Sequence, residues 1–574
     1  MNRVAFRMPF HGSLRSAVIC ATLSLFSMSA CAAHFDMRQL PRTCKQLAGV
    51  IIPASAIGLP TNGAAVTAAD LVPTSASLPE YCKVLGTIKP VGGYASSIDF
   101  ELDLPTSWNR KILMLGGGGS DGVIPPTSGN IPAGPLNEPA PLARGYAVFA
   151  SDSGHQSKKT GVLAAEMDGS FALNADALEN YAGNAIKRTR DAALYLIRAR
   201  YGVDRPDKAY FVGGSTGGRE ALEAIRRWPR DWDGAIALFP AVNPIALDLQ
   251  VGRLARALAQ PGGYLDQAKR ELLYEASLAV CDKLDGLTDG IVSNVDACNA
   301  KFDPATAKWM GRPLRCPGGK DTGDDCLSDA QISTLHEYDT SIVFHPALAN
   351  GATQYPGYNI YGADLGRATT KPFQSIVTLL ALGTDAPTSP LPSQASALNI
   401  FWDQWIRYYV ARDSNFDALA VDPQNLGVLQ ARVNRLSLLF DTTNKADFSA
   451  FASKGGKLLI AQGTADVLVS TRETEQYFNR MRATMGSATV RNFARFYEVP
   501  GYGHGLSTVF NASWDSLTTL DKWVEKGDAP RAQVVTDTIG LPGRTRPLCE
   551  YTSYPKYRGH GDVNTASSFV CTKR

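Results

Sequence analysis

Two serines of the sequence lie in the pattern G-x-S-x-G, in which glycines allow a tight turn that exposes the serine hydroxyl. One is Ser215 in FVGGSTGGRE, and the other is Ser120 in GGSDG. The apolar run YFV precedes Ser215 and the helical pattern REALEAIRRW follows it, which supplies the strand, turn and helix that a nucleophile needs. Ser120 is followed by VIPPTSGNIPAGP, whose prolines exclude a helix. We therefore predict that Ser215 is a nucleophile; the alternative is a serine that only shapes a turn.

A serine hydroxyl is a weak nucleophile and needs a histidine base that a carboxylate orients. His504, in VPGYGHGLS, follows a predicted strand and lies in a glycine-lined loop downstream of Ser215. Asp466, in LLIAQGTADVLVS, directly follows another predicted strand. The chain order serine, acid, histidine is that of the α/β-hydrolases. The alternative for Asp466 is a cap of the next helix, and His155, which precedes the serine, is predicted to be structural.

The glycine run from Gly116 to Gly119 follows the apolar stretch KILML. Such a run can bring backbone N–H groups close to a substrate oxygen, at the position where α/β-hydrolases form half of their oxyanion hole. We predict that the N–H groups of Thr216 and of Gly118 or Gly119 stabilise a developing oxyanion. The alternative is a flexible glycine turn without a catalytic role.

An acidic loop, CDKLDGLTDGIVSNVDAC, sets Asp282, Asp285 and Asp289 close together between two cysteines. Neighbouring carboxylates repel one another unless a hard cation such as Ca²⁺ binds them. The spacing differs from that of an EF-hand, and glycines in the loop allow the carbonyls of Leu287 and Ile291 to face an ion as well. We predict a structural calcium site; the alternative is a solvated acidic turn.

Short apolar runs alternate with helical patterns from about residue 98 to residue 240, and this alternation predicts a parallel sheet covered by helices on both faces. The runs KLLIAQ and ARFYEV predict two further strands of the same sheet near the C-terminus. The fold class is therefore α/β: an α/β-hydrolase core with a large inserted lid domain. The expected parts are a signal peptide at 1–33, the core at 34–240 and 441–574, and the lid at 241–440.

The composition describes an ordinary globular chain of 574 residues with a formal net charge of +3 and no basic run, so nucleic acid is not an expected partner. Arginines, an apolar stretch and small residues near Ala32 and Ala33 predict a signal peptide that directs the protein to the periplasm or the medium. A lipid anchor on Cys31 is the alternative. No segment of the mature chain is apolar enough to predict a membrane span.

Eight of the ten cysteines lie outside the predicted signal peptide. An even number of cysteines in an exported protein favours disulfides over metal ligation. Their grouping along the chain suggests four nearest-neighbour pairs, of which 281 with 298 and 316 with 326 are the most local.

The stretches GGSTGGRE, GTADVLVS, VPGYGHG, CDKLDGLTDG and GYAVFASDSGH, with the cysteine spacing, resemble the tannase and feruloyl esterase family over nearly all of the mature chain. The resemblance implies an α/β-hydrolase core, a lid with structural calcium, and hydrolysis of esters of aromatic acids such as gallate or hydroxycinnamates. It implies that Ser215 is the nucleophile, His504 the base and Asp466 the orienting acid. It further implies calcium ligands and disulfides, namely Asp282, Asp285, Leu287, Asp289 and Ile291 for the ion, and the pairs Cys44–Cys82, Cys281–Cys298, Cys316–Cys326 and Cys549–Cys571.

The sequence departs from the family at one point. Many members carry a further disulfide between the residue before the nucleophile and the residue after the catalytic histidine, where this chain has Gly214 and Gly505. We therefore predict a catalytic geometry held by packing alone, with looser loops. The lid also has no arginine between Arg367 and Arg407, where members that act on terephthalate monoesters would be expected to present one. This absence counts against such substrates.

The combined expectation is an exported, monomeric serine esterase that acts on small aromatic esters through an acyl-enzyme. A general carboxylesterase or lipase is one alternative, and a non-catalytic exported binding protein with the same fold is another. The lid aromatics are open to two interpretations, as walls of the substrate ring or as core of the lid. They are Phe401, Trp402, Trp405 and Tyr408.

Overall fold

A computed structural model describes residues 41–92, 95–442 and 445–574. The predicted signal peptide at 1–33 and the candidate lipid-anchor residue Cys31 lie outside the described residues. Within those ranges, no helix combines the length and the apolar character that a membrane crossing requires.

The central sheet has eleven strands, ordered β1-β2-β3-β4-β6-β5-β7-β8-β9-β10-β11 from edge to edge. Strands β5, β6 and β8 are apolar and almost wholly buried, as expected for strands covered on both faces. In chain order the strands are β1 Ile51–Ile52, β2 Ala64–Val72, β3 Tyr81–Ile88, β4 Ile98–Pro105, β5 Lys111–Leu115, β6 Ala147–Ser151, β7 Lys208–Gly214, β8 Gly234–Leu238, β9 Lys457–Gly463, β10 Ala494–Val499 and β11 Cys549–Glu550.

The sheet is mixed, and the prediction of a parallel sheet holds only for its centre. Strands β6, β5, β7, β8, β9 and β10 pair in parallel. Strands β1 to β4 pair antiparallel, as do β4 with β6 and β10 with β11. The prediction was wrong for β4. The connections before and after β3 are too short for a crossover, so β2, β3 and β4 must pair antiparallel.

Helices cover both faces of the sheet and build most of the lid. The helical segment from Ala175 to Tyr201 is interrupted, because Gly183 has a φ of 125° inside a π-helical turn at Asn180–Asn184. The helices of the described residues are α1 Val162–Glu166, α2 Ala175–Glu179, α3 Ala185–Tyr201, α4 Thr216–Arg227, α5 Pro244–Ala259, α6 Gln267–Cys281, α7 Val295–Lys301, α8 Asp329–Asp339, α9 Gln374–Leu380, α10 Ala397–Gln404, α11 Gln430–Leu439, α12 Ser449–Ser453, α13 Thr471–Met485, α14 Ser487–Phe493 and α15 Ser516–Lys526.

The predicted lid, residues 241–440, lies between β8 and β9 and contains α5 to α11. Its apolar core includes Leu249, Leu254, Ile406 and Leu436, each almost fully buried. Leu178 of α2 and residues just after β9 pack into the same core. The described residues accordingly belong to one compact unit, and the lid is attached to the hydrolase part by shared apolar packing. Its boundaries remain a prediction.

Four disulfides join the cysteines in nearest-neighbour pairs. They connect β3 to the segment before β1, α6 to α7, two parts of the lid, and β11 to the last strand of the chain. The pairs are Cys44–Cys82, Cys281–Cys298, Cys316–Cys326 and Cys549–Cys571.

Candidate active site

Ser215 occupies the sharp turn between β7 and α4. Its backbone has a φ of 58° and a ψ of −122°, a conformation that costs energy for any residue other than glycine and is typical of functional sites. A β-carbon on Gly213 would lie 2.4 Å from the carbonyl of Gly217, so the turn can be this tight only without side chains there. The N–H of Ser215 donates to Leu238 O at 3.0 Å and ties the turn to β8.

Ser215, His504 and Asp466 form one hydrogen-bonded chain. Nε2 of His504 lies 2.9 Å from Ser215 Oγ, and its Nδ1 lies 2.8 Å from Asp466 Oδ2. The carboxylate places the ring proton on Nδ1, so Nε2 can accept a proton from the serine hydroxyl. The three residues follow β7, β9 and β10, which are parallel strands whose carboxyl ends meet at one edge of the sheet.

Asp466 is fully buried and its carboxylate is supported by the turn that carries it. Oδ1 accepts the N–H groups of Leu468 and Val469, each at 2.9 Å, and Oδ2 accepts Gln462 Nε2 at 2.8 Å. The following helix α13 has Ser470 at its N-cap. The alternative interpretation of Asp466 as a helix cap is therefore wrong.

The glycine run packs directly on the first turn of α4. The N–H of Gly217 donates to Gly117 O at 3.1 Å, and Thr216 Oγ1 donates to Gly119 O at 2.7 Å. Among the described residues, no acceptor is hydrogen-bonded to the N–H groups of Gly118, Gly119 or Thr216. These amides are free to donate to a substrate oxygen beside Ser215.

Two buried carboxyl groups lie behind the glycine run. Glu220 Oε2 accepts the N–H of Gly117 at 3.1 Å, and a β-carbon on Gly117 would lie 2.0 Å from Asp121 Oδ1. Burial, together with the charge of Glu220, raises the pKa of Asp121 well above its usual value. A third carboxyl group, that of Glu166, faces Gly118 from α1, and burial raises its pKa as well.

Phe239 fills the space between Gly214 and Gly505, the two positions at which the resemblance implied a further disulfide in many family members. A β-carbon on Gly214 would lie 2.5 Å from its ring, and one on Gly505 would lie 3.3 Å from it. The ring also meets the His504 imidazole edge to face, with centroids 4.9 Å apart. The Phe239 ring is thus part of the packing between the two catalytic loops. In the sequence, Phe239 follows an apolar run, and nothing there indicates its position between the catalytic loops.

Two cavities meet at Ser215. The inner cavity has a volume of about 100 Å³, and its walls include Arg219, Asp248 and Trp405. The outer cavity has a volume of about 260 Å³; His504 and apolar side chains of α1 and α9 line it. Phe401 borders both cavities.

The lid aromatics divide between the two interpretations. Phe401 and Trp405, one helical turn apart, line the inner cavity. Trp402 points into the lid core, where a β-carbon on Gly252 would lie 2.5 Å from its ring and its Nε1 donates to Ala418 O at 3.0 Å. Helical spacing alone could not predict this division, because it depends on which face the rest of the lid covers.

His155 and Ser120 are structural in this arrangement. The His155 ring stacks on Phe171 with centroids 3.6 Å apart, and its Nε2 lies 2.7 Å from Ser120 O. Burial lowers the pKa of His155 to about 4, so the ring is neutral. Ser120 lies beside the inner cavity, but its own contacts include no base comparable to His504.

The acidic loop folds back on itself beside the disulfide Cys281–Cys298. Asp282 accepts the N–H groups of Asp289 and Gly290, and the carboxylate of Asp289 pairs with the guanidinium of Arg546. Asp285 Oδ2 is buried without a hydrogen-bond partner, which fits a cation next to it. In the described ranges, however, no three His, Cys, Asp or Glu side chains are arranged as a metal site. Calcium therefore stays a prediction.

The amides of the two predicted carbonyl ligands lie within the same loop. Leu287 N–H donates to Asp285 Oδ1 at 3.0 Å, and Ile291 N–H donates to Asp289 Oδ1 at 3.1 Å. These bonds hold the loop in a compact turn around Asp282.

The sheet order, the strained serine turn and the strand-end positions of the histidine and the acid define an α/β-hydrolase. A family model described as tannase and feruloyl esterase matches residues 82–572. The chain is 37% identical over 564 residues to an uncharacterized esterase of Agrobacterium fabrum, covering 96% of this chain and 97% of that protein.

Two further comparisons agree with this match. The chain is 31% identical over 539 residues to the mono(2-hydroxyethyl) terephthalate hydrolase of Piscinibacter sakaiensis, covering 88% of this chain and 87% of that protein. Feruloyl esterase B from Aspergillus oryzae has the same fold, with a TM-score of 0.70 at 22% identity over 92% of this chain and 99% of that one. The chain belongs to the tannase and feruloyl esterase family, and it is a carboxylic ester hydrolase that acts on small-molecule esters.

Proposed function

We propose that this chain is an exported serine esterase that hydrolyses esters of aromatic, phenolic acids through an acyl-enzyme. The observation that carries the proposal is the hydrogen-bonded chain from Asp466 through His504 to Ser215, at the point where two largely apolar cavities meet. Its relatives include a probable feruloyl esterase and the terephthalate ester hydrolase. These names support an aromatic acid as the acyl half of the ester substrate.

In the first half of the reaction, Ser215 Oγ attacks the ester carbonyl carbon while His504 Nε2 takes the hydroxyl proton. The carbonyl oxygen becomes an oxyanion, which accepts hydrogen bonds from the N–H of Thr216 and from Gly118 or Gly119. The bond to the alcohol oxygen then breaks, and His504 gives the proton to that oxygen. Water attacks the acyl-enzyme in the same way, with His504 as base, and releases the acid.

The geometry of proton transfer decides which cavity takes which half of the ester. His504 must reach the leaving oxygen, so the outer cavity, which His504 lines, takes the alcohol. The inner cavity takes the aromatic acid between rings that include Phe401, Trp405 and Phe440.

A terephthalate monoester would place a second carboxylate in the inner cavity. Among the described residues that line either cavity, Arg219 is the only arginine. Its guanidinium lies over the rings of Tyr181 and Phe440 and donates to Tyr181 O at 3.1 Å. With this cation already engaged and Asp248 in the same wall, a neutral aromatic ring fits the cavity better than an anionic one.

The calcium site and export are parts of the same proposal. Asp282, Asp285 and Asp289, with the carbonyls of Leu287 and Ile291, would hold Ca²⁺. Asp285 Oδ2 has no hydrogen-bond partner within the described ranges, whereas Asp289 also pairs with Arg546. The four disulfides and the N-terminal sequence support export to an oxidising compartment.

Turnover of methyl ferulate and p-nitrophenyl acetate by the Ser215→Ala variant tests the proposal. We expect kcat to fall by at least about 10⁴-fold, because the nucleophile is lost and the fold is retained. Ser120→Ala removes the other G-x-S-x-G serine and is the matched control. Its kcat should fall by less than about tenfold. Equal turnover by wild type and Ser215→Ala would contradict the proposal, and inactivity of the wild type would favour a binding protein.

A further inference from the structure

The inner cavity contains one carboxyl group that the surrounding protein does not satisfy. Helix α5 turns one face to this cavity, and Asp248 is the only ionisable residue on that face. The other residues on the face are apolar and follow the three-and-four spacing of a helix, namely Pro244, Ile245, Leu247 and Val251. An amphipathic helix would normally place its polar residues on the opposite side.

Most other polar side chains in the cavity wall already have partners in the protein. The Tyr181 hydroxyl donates to Gly119 O at 2.8 Å, and Gln404 Oε1 accepts the N–H of Gly169 at 3.2 Å. Ser215, Thr216 and Arg219 have the partners described above, whereas Trp405 Nε1 is buried in the same wall without a hydrogen-bond partner in the described part of the chain. Asp248 makes no hydrogen bond and no ion pair with any residue of the described ranges.

The surroundings of Asp248 favour the neutral form of its carboxyl group. Burial raises its pKa well above the usual value, and no neighbouring cation opposes that effect. The titratable groups close enough to interact electrostatically with Asp248 are four tyrosines. Their pKa values are raised, and they are Tyr181, Tyr355, Tyr358 and Tyr409. A neutral carboxyl group offers one O–H donor and one carbonyl acceptor.

The Asp248 side chain is half-buried in the cavity wall and has no hydrogen-bond partner among the described residues, so it is available to a ligand bound in the cavity. A ring hydroxyl is both donor and acceptor, so it can form the two complementary hydrogen bonds that a neutral carboxyl group offers. A carboxylate substituent could not do this without placing a charge in an apolar cavity.

We propose that Asp248 is a specificity-determining residue that binds a ring hydroxyl of the aromatic acid in the inner cavity. This inference rests on the proposed function, because it assumes that the inner cavity takes the acyl half of the ester. Asp248 is not part of the hydrogen-bonded chain of Ser215, and its role is to select among acids.

The test compares kcat/KM for methyl esters that differ by one hydroxyl group. The pairs are methyl 4-hydroxycinnamate with methyl cinnamate, and methyl 3- or 4-hydroxybenzoate with methyl benzoate. The wild type should prefer at least one hydroxylated ester by about tenfold or more, since a site built to hydrogen-bond a hydroxyl discriminates against its absence. Asp248→Leu should bring that ratio to within about twofold of one, and Asp248→Asn should keep part of it.

The ratio is measured within one protein, so a smaller folded fraction in a variant cancels out. Asp422→Leu, an exposed lid aspartate that pairs with Arg256, is the matched control and should leave the ratio unchanged. An unchanged ratio in Asp248→Leu would overturn the inference while leaving the esterase proposal intact. A preference for methyl 4-(aminomethyl)benzoate over methyl 4-hydroxybenzoate would also overturn the inference, because it would mean that an ionised Asp248 binds a cation.

Failure of the proposed function has a different signature. A wild type that cleaves p-nitrophenyl acetate but none of the aromatic esters would overturn both the aromatic substrate class and the role of Asp248. Binding of 4-hydroxycinnamic acid and cinnamic acid to Ser215→Ala, measured by calorimetry, gives a readout that does not depend on turnover. The hydroxylated acid should bind about tenfold more tightly, and Asp248→Leu in the same background should remove that difference.

Discussion

At the scale of single residues, the support around Asp466 explains how the site keeps its histidine in one orientation. Its carboxylate accepts hydrogen bonds from Gln462, Leu468 and Val469 as well as from His504. These donors fix both oxygens before substrate arrives, so the imidazole has one partner atom and one tautomer. The orientation of His504 is therefore part of the folded state.

Asp466→Asn should lower kcat for methyl ferulate by about 10⁴-fold, with KM within a few-fold of wild type. The amide keeps the shape of the side chain, but its NH₂ group can face Nδ1 and favour the wrong tautomer. Steady-state kinetics on the purified variant gives the answer. A loss of less than tenfold would mean that Asp466 does not orient the base.

Sequence alone predicts Ser215, Asp466 and His504 because each carries its own local signal at the end of an apolar run. Parallel strands bring such ends to one edge of the sheet. Phe239 and Asp248 have no such signal. Phe239 reads as the end of a strand and Asp248 as the polar residue of a helix, and their roles arise only from the elements packed against them.

At the scale of elements, the turn after β8 holds the two catalytic loops together. Phe239 has a φ of 34°, uncommon for a residue with a side chain, and its N–H donates to Ala461 O at 2.7 Å. The turn thus projects the ring between the Ser215 turn and the His504 loop. A packed ring resists separation of the loops less than a covalent bond does, so these loops depend on the integrity of the surrounding core.

Phe239→Ala should lower kcat by about tenfold or more, with a smaller change in KM, because the His504 loop loses its packing. Phe448→Ala, which removes a buried ring from the core on the other side of the molecule, is the matched control. Both variants should lose about 3–5 kcal/mol of stability. Assays well below the melting temperatures should show a kcat effect in Phe239→Ala alone; equal kcat values would contradict this role.

The acidic loop makes a prediction of its own for metal removal. Chelation of the purified protein should lower its melting temperature by several degrees, since a ligand that binds only the folded state stabilises it. Asp285→Asn should abolish this response to chelation. An unchanged melting temperature, together with no bound metal by elemental analysis, would show that the loop is held by its hydrogen bonds and by Arg546 alone.

At the scale of the whole molecule, buried acids give the stability a dependence on pH. Asp103 of β4 is fully buried and accepts Thr127 Oγ1 at 2.7 Å, and burial raises its pKa to about 7. An unfolded aspartate loses its proton near pH 4. Between about pH 4 and pH 7 the folded state therefore holds a proton that the unfolded state has lost, so stability falls as the pH rises through this window.

Asp103→Asn should make the melting temperature less dependent on pH between 5 and 7. The variant keeps a donor and an acceptor but has no proton to lose. The slope of the free energy of unfolding against pH should therefore become shallower by up to about 1.4 kcal/mol per pH unit. Asp70→Asn, on the exposed part of β2, should follow the wild type. Parallel pH profiles for all three proteins would contradict the role of Asp103.

The mixed order of the sheet has a consequence for how the protein meets other copies of itself. An open edge strand is a template for another chain, and long edges invite aggregation. Here the two outermost strands, β1 and β11, have two residues each. The edge strand β11 also carries Cys549, which is crosslinked to Cys571 of the last strand. Edges this short offer little template to a second copy of the chain, so the order of the strands itself opposes edge-to-edge association.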